Sequence, residues 1–284
     1  MRRKPAHKFQ ISNFKFQKRL LCLLIFEVCH LIFVSACGST HPVIKFGLVA
    51  PFEGRYRPIG YDAIYAARLA VRERNASGGV GGYRVELVAY DDGGDAPSAV
   101  ERARQLALDP QVAAVIGHFR VDTSRAAWDI YAREALPLIA PVIPADALPD
   151  SPCAGCSFPA AFRTGPTSQA MGESIGLDQV FAGGVTTGTV FASGAPWPHD
   201  VPEAQPFIAN YRAVSNGAEP GPYAWATYQA VQMLFDAMAH EPGAPTRRGA
   251  GAQLAMRFSA QGILPNAPVY VYRLDPSGQP VLRR

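Results

Sequence analysis

Apolar positions open with a run over residues 20–36, LLCLLIFEVCHLIFVSA, and from residue 43 onward they alternate between two periods. Residues 43–50, VIKFGLVA, are almost continuously apolar and rich in β-branched side chains, as in a strand buried on both faces. Residues 60–75 put Ile64, Ala67 and Val71 on one side of a helix. The GGVGG of 78–82 ends that helix and turns the chain. The alternation continues with a strand at 85–90, an acidic loop at 91–95 and a helix opened by Pro97 and running to Leu108. A strand at 112–117, a helix capped by Asp122 or Thr123 and ending at Glu134, and a strand at 136–143 complete the series. Strands alternating with helices predict an α/β fold with a doubly wound parallel sheet. Ligands of such sheets sit beyond the carboxyl ends of the strands, which here means the loops at 51–59, 119–124 and 142–146.

The second half is less regular. Residues 144–166 are rich in Pro, Ala and Gly. A strand is expected at 185–193, a short helix at 203–214 and a stronger helix at 223–240, where Ala224, Tyr228, Val231, Leu234, Phe235 and Met238 are apolar. Beyond it come a weak helix at 249–258 and a strand at 269–274, and the tail turns at Pro276-Ser277-Gly278. Neither an internal repeat nor a low-complexity tract interrupts the chain.

Charge changes the picture at the N-terminus. Seven basic residues (Arg2, Arg3, Lys4, Lys8, Lys15, Lys18 and Arg19) precede the apolar run, and the run holds Glu27 and His30. A basic segment, an apolar stretch and a small-residue exit describe an export signal, and 17 residues are few for a membrane span. The exit, VSACG at 34–38, resembles the bacterial lipobox, in which small residues precede a cysteine that receives a diacylglyceryl group. The expectation is a lipoprotein signal peptide at 1–36, lipidation of Cys37 and a tether at 37–42, holding the protein on the extracytoplasmic face of the cell membrane. The 27 basic and 23 acidic residues of the whole chain become 20 and 22 once that segment is removed, so no basic face argues for nucleic acid. Cys22 and Cys29 would leave with the signal. Cys153 and Cys156 then remain as a CAGC pair, read as a small disulfide, with free thiols or half a metal site as alternatives.

Several segments together resemble the leucine/isoleucine/valine-binding group of type I periplasmic binding proteins. They are IKFGLVAPFEG at 44–54, ERNASGGVGGYRVELVAYDDGGD at 73–95, VAAVIGHF at 112–119, IYAREALPLIAP at 130–141, FRT at 162–164 and PYAWATYQAVQMLFDAM at 222–238. The resemblance implies two α/β lobes that close on a ligand by a hinge, the second lobe being inserted into the first. After Gln169, where that second lobe would begin, only AMGESIGLDQVFAGG stands before Val185. The implied organisation is a first-lobe domain at 43–274 with a remnant of the second lobe near 165–184 and a tail at 275–284.

The resemblance also implies a site. Ile59, Arg120, Val121, Val142 and Pro144 fall at its ligand-facing places. The family uses short hydroxyl residues where Val121 and Pro144 stand, and neither side chain hydrogen-bonds. Arg120 would grip a carboxylate, or else be a solvated loop cation, and His118 would be a packed or capping histidine. Thr123 and Ser124 are hydroxyls one turn further on. Groups for an amino-acid ammonium would lie in the missing lobe. The implied function is solute capture for an ABC permease, the solute an amino acid or amide, with binding impaired. A ligand sensor for a membrane partner and a non-binding truncated remnant are the alternatives.

No cofactor, metal or catalytic residue is expected, and the protein is not read as an enzyme. The Asp91–Asp95 loop lacks the spacing and closing Glu of a calcium loop and reads as a solvated turn. A nucleotide-binding enzyme would need a glycine-rich cradle after the first strand, where PFEGRY stands instead. No nucleophile elbow or zinc-binding helix motif is present.

Overall fold

The computed structural model describes residues 41–149, 153, 155–172, 175–240 and 244–283. The chain divides into two units, Met1–His41 and Pro42–Arg284, and every element below belongs to the second. The expected signal peptide, the lipidation of Cys37 and most of the tether lie outside the described residues.

The first half runs β1 (Val43–Ala50), α1 (Arg57–Ala76), β2 (Arg84–Asp91), α2 (Ala96–Leu108), β3 (Val112–Gly117), α3 (Val121–Arg133), β4 (Leu138–Ala140) and β5 (Ala161–Arg163). These strands form one sheet in the order β2-β1-β3-β4-β5, and every pairing is parallel. The order reverses between β1 and β3. Alternate residues of β1 serve opposite faces: Ile44, Phe46, Leu48 and Ala50 enter one core cluster, Val49 the other. Helix α1 lies on the first face. Helices α2 and α3 cover the second, with Ala99, Ala103 and Leu106 of α2 and Ala127 and Tyr131 of α3.

The second half runs α4 (Ser168–Met171), α5 (Leu177–Ala182), β6 (Val190–Ser193), two 3-10 turns, α6 (Gln205–Val214), α7 (Pro222–Ala239), α8 (Arg247–Ala255), β7 (Tyr270–Leu274) and β8 (Pro280–Leu282). Helix α7 packs beside α1 on the first face, and Phe235 meets Phe46 of β1 with ring centroids 5.6 Å apart. Strands β6, β7 and β8 form a separate antiparallel sheet.

Local chemistry fixes the joints. Asn75 donates to the Val85 carbonyl (2.8 Å) and accepts from its N–H (2.9 Å), pinning the start of β2 to the end of α1. Asp95 caps α2 through the Ser98 N–H at 3.1 Å, and Pro97 lies in the first turn. The first turns of α7 are capped from α1: both oxygens of buried Asp62 accept from it, Oδ1 from Gly221 N–H (2.7 Å) and Oδ2 from Ala224 N–H (2.8 Å). Gly117 ends β3 at φ +119°, and a Cβ there would stand 2.1 Å from the Val49 carbonyl oxygen, so only glycine fits between the strand ends.

Several sequence expectations need correction. Helix α1 begins at Arg57 rather than 60, because Pro58 suits a first turn. Helix α3 begins at Val121, so Asp122 and Thr123 lie inside its first turn and Arg120 holds the N-cap position. The strand expected at 136–143 is three residues long, and Val142 departs from it at φ +59°. The strand expected at 185–193 shortens to Val190–Ser193, since Gly183, Gly184 and Gly188 all take positive φ before it. The acidic loop is not a solvated turn. Asp91 accepts from Phe52 N–H (2.7 Å), Asp92 is fully buried against His118, and Asp95 is a cap.

Candidate ligand site at the switch point of the sheet

The loops leaving β1 and β3 meet where strand order reverses, the place where open α/β sheets bind ligands. An open cavity of about 490 Å³ lies there. Arg120, Val121, Val142 and Pro144 line it, as the sequence implied. Ile59 is not a lining residue: it is fully buried in the core, on a helix that starts earlier than its pattern suggested.

The floor of the cavity is held by a buried network. His118 Nδ1 lies 2.7 Å from Asp92 Oδ2, and its Nε2 lies 3.0 Å from the Tyr131 hydroxyl. All three side chains lie within the interior. Ser124 Oγ donates to the His118 carbonyl (2.9 Å) and Thr123 Oγ1 to the Arg120 carbonyl (3.2 Å). Both hydroxyls are therefore spent on shaping the 118–120 loop rather than offered to a ligand. Burial raises the Tyr131 phenol far above its usual range, with the Asp92 charge adding to it, so this hydroxyl stays protonated.

Arg120 is not a solvated cation. Its side chain is 13% exposed, its Nη2 reaches Asp122 at 2.7 Å and its Nη1 reaches Asp178 at 2.5 Å. The guanidinium carbon stands 3.7 Å from the centroid of the Tyr56 ring, supplied by the loop after β1. Burial works against this charge, but the hydrogen bond and field of Asp122 and the field of Asp178 outweigh it and hold the guanidinium firmly charged. Among the described residues its buried Nε has no hydrogen-bond partner.

Asp178 was invisible as a site residue in the sequence, because the pair joins positions 58 apart. It sits in α5, which is anchored by Phe181. That ring meets Tyr223 edge-on at 4.9 Å and Trp197 at 6.1 Å. Tyr223 is a second omission. It is buried at 1% exposure, yet it also lines the cavity. Burial, followed by the charges of Asp178 and Asp62, raises its phenol well above the usual value, so it presents a neutral hydroxyl.

Further polar groups face the same space. Val121 and Asp122, the first two residues of α3, have backbone N–H groups without intrahelical acceptors, as at any helix start. Arg125, one turn on, donates its Nε to the Ala147 carbonyl at 2.8 Å and reaches the cavity from an exposed position. Ser168 and Ser193 complete the polar lining, but each hydroxyl is already engaged, Ser168 with the Asp146 carboxylate and Ser193 with the Ala195 carbonyl. The rest is apolar: Phe119, Val121, Val142, Ile143, Met171 and Leu177 among others. The arrangement can surround a small, largely apolar molecule and offer it a phenol, helix-start donors and the Arg125 cation.

Cys153 and Cys156, the CAGC pair, stand side by side with Cα atoms 5.4 Å apart, within disulfide reach and away from the cavity lining. Among the described residues no group of three or more His, Cys, Asp or Glu side chains gathers to hold a metal, and no helix is long and apolar enough to cross a membrane.

Comparison with known proteins agrees with this geometry. Residues 43–178 match the periplasmic binding protein family. A Leu/Ile/Val-binding protein homologue of Brucella abortus is 34% identical over 125 residues, covering 44% of this chain and 32% of the relative. The chain thus spans about a third of the length of the curated relatives it matches. An ABC transporter substrate-binding protein from Desulfitobacterium hafniense, solved in complex with Leu, superposes with a TM-score of 0.65 at 18% identity, over 85% of this chain and 100% of that one. An ABC transporter solute-binding protein of R. palustris, solved with benzoate, gives 0.65 at 18% identity over 84% and 95%. Residues 43–178 are thus similar to the periplasmic binding proteins, and the superpositions show a fold shared with solute-binding proteins of ABC transporters.

Proposed function

We propose that the chain captures a small organic solute in the switch-point cavity and delivers it to an ABC permease, without chemistry of its own. The observation that carries this reading is the cavity itself. It lies where the fold binds ligands, and it holds helix-start donors beside the buried Tyr223 side chain. The solute is an amino acid or a related acid or amide, in keeping with the leucine and benzoate bound by structural neighbours. Export and a lipid anchor at Cys37 would keep the protein at the membrane where the permease works.

Binding is weak in this reading. Val121 and Pro144 offer no side-chain hydrogen bond, and the fork of Arg120 is already held by two carboxylates. Residues 165–184 are read as what remains of a second lobe, so one wall of the cleft is short and the solute stays partly in water, where its hydrogen bonds contribute little. The test is thermal unfolding of the full chain with leucine, isoleucine, benzoate and benzamide, each in the millimolar range. A ligand that binds only the native state raises the midpoint, and tenfold excess over its Kd contributes about 1.4 kcal/mol. A rise with at least one compound is expected. A cooperative transition unmoved by all four at saturating concentration would contradict solute capture.

A further inference from the structure

The Arg120–Asp178 pair lines the cavity, and it has the form of a ligand contact made by the protein to itself. Asp178 is 28% exposed, and its oxygen lies where a solute carboxylate would meet the Arg120 fork. The other arm of the fork is held by Asp122, from the same helix as the cavity wall. Asp178 differs in coming from α5, a helix of six residues. Two segments with glycines at positive φ flank it: Gly172 before, and Gly183, Gly184 and Gly188 after. It is held to the body by the Leu177, Val180 and Phe181 side chains, by the Ile175–Phe191 bridge just before it, and by the ion pair itself. A short element flanked on both sides by glycines, with one charged contact to the cavity, is suited to local release.

We propose that Asp178 is a built-in competitor for the carboxylate end of the solute, which must be displaced from Arg120 before an acid binds. This rests on the solute-capture reading above and goes beyond it by naming the residue that sets ligand charge. An acid enters by exchanging one carboxylate for another at Arg120, so its net gain is small. An uncharged isostere gains nothing from the exchange and binds without it. Removing the charge at 178 leaves the Arg120 fork half-filled and favours acids selectively.

The experiment is calorimetric titration of benzoate and of benzamide into the full chain and into Asp178→Asn, with Trp197 emission followed in parallel, since Trp197 packs on Phe181. The expected result is a gain of tenfold or more for benzoate in D178N with little change for benzamide, and emission in ligand-free D178N resembling that of the benzoate-bound parent. Equal benzoate affinity in parent and variant, or an equal gain for benzamide, overturns the proposal while leaving solute capture standing. Binding of neither compound to either protein overturns the proposal, and solute capture is then judged by the leucine and isoleucine melts. If D178N loses its cooperative melt, Phe181→Leu carries the same test, because it loosens α5 and keeps both charges. It too should favour benzoate over benzamide, and no change in that preference overturns the proposal.

Discussion

Asp62 shows how one residue can couple stability to pH. Burial pushes its carboxyl up from 3.8 to about 7, despite donors from Gly221, Ala224 and Tyr211 that pull the other way. Below about pH 4 the group is protonated in both native and unfolded chains. Between about 4 and 7 only the native chain keeps the proton, so unfolding releases it and stability falls as pH rises. Above 7 the slope from this residue ends. The total is on the order of 4 kcal/mol. Asp109 and Asp146 have lowered values and act in the opposite sense, so the measurement is a difference. Urea unfolding of the parent and of Asp62→Asn from pH 4 to 7.5 should show the parent losing stability relative to the variant. Parallel curves would mean that Asp62 ionises in the native state as it does in the unfolded one. The same residue explains a limit of sequence reading: Asp62 is one acid among many until α7 is seen to rest its N-terminus on it.

The elements of the parallel sheet were legible for a physical reason. Strands buried on both faces leave continuous apolar runs, and β1 and β3 start and stop within the expected residues. Short elements carry less pattern. Strand β8 has three residues, α4 has four and α5 has six, and none repeats a period often enough to be read. The site divided in the same way. Arg120, Val121, Val142 and Pro144, named from the resemblance, lie just past strand ends and line the cavity, whereas Asp178 and Tyr223 reach it by tertiary packing alone. Ile59, named from the same resemblance, is buried in the core and does not line the cavity. Packing of α7 on the sheet decides whether the first face exists at all. Phe235 is fully buried against Phe46, and Phe235→Ala should cost about 3–5 kcal/mol in denaturant unfolding. A loss under about 1 kcal/mol, the scale of an ordinary surface change, would mean that α7 is not a structural wall of this face.

At the scale of the whole molecule, a five-stranded parallel sheet with helices on both faces carries the cavity, and the second, antiparallel sheet contributes β6 to its rim through Ala192 and Ser193. Helix α3 forms one wall of that cavity through Val121, Asp122 and Arg125. Solute binding at that wall is the central claim, and the short hydroxyl that the resemblance implies at position 121 supplies its most direct test. Valine there removes one hydrogen bond, worth about 0.5–1.5 kcal/mol. Leucine titrated calorimetrically into the full chain and into Val121→Ser should bind the variant roughly 2- to 10-fold more tightly, the factor that such a bond confers. Equal affinity in the two proteins, with binding measured in both, would place the solute away from α3 and contradict the account.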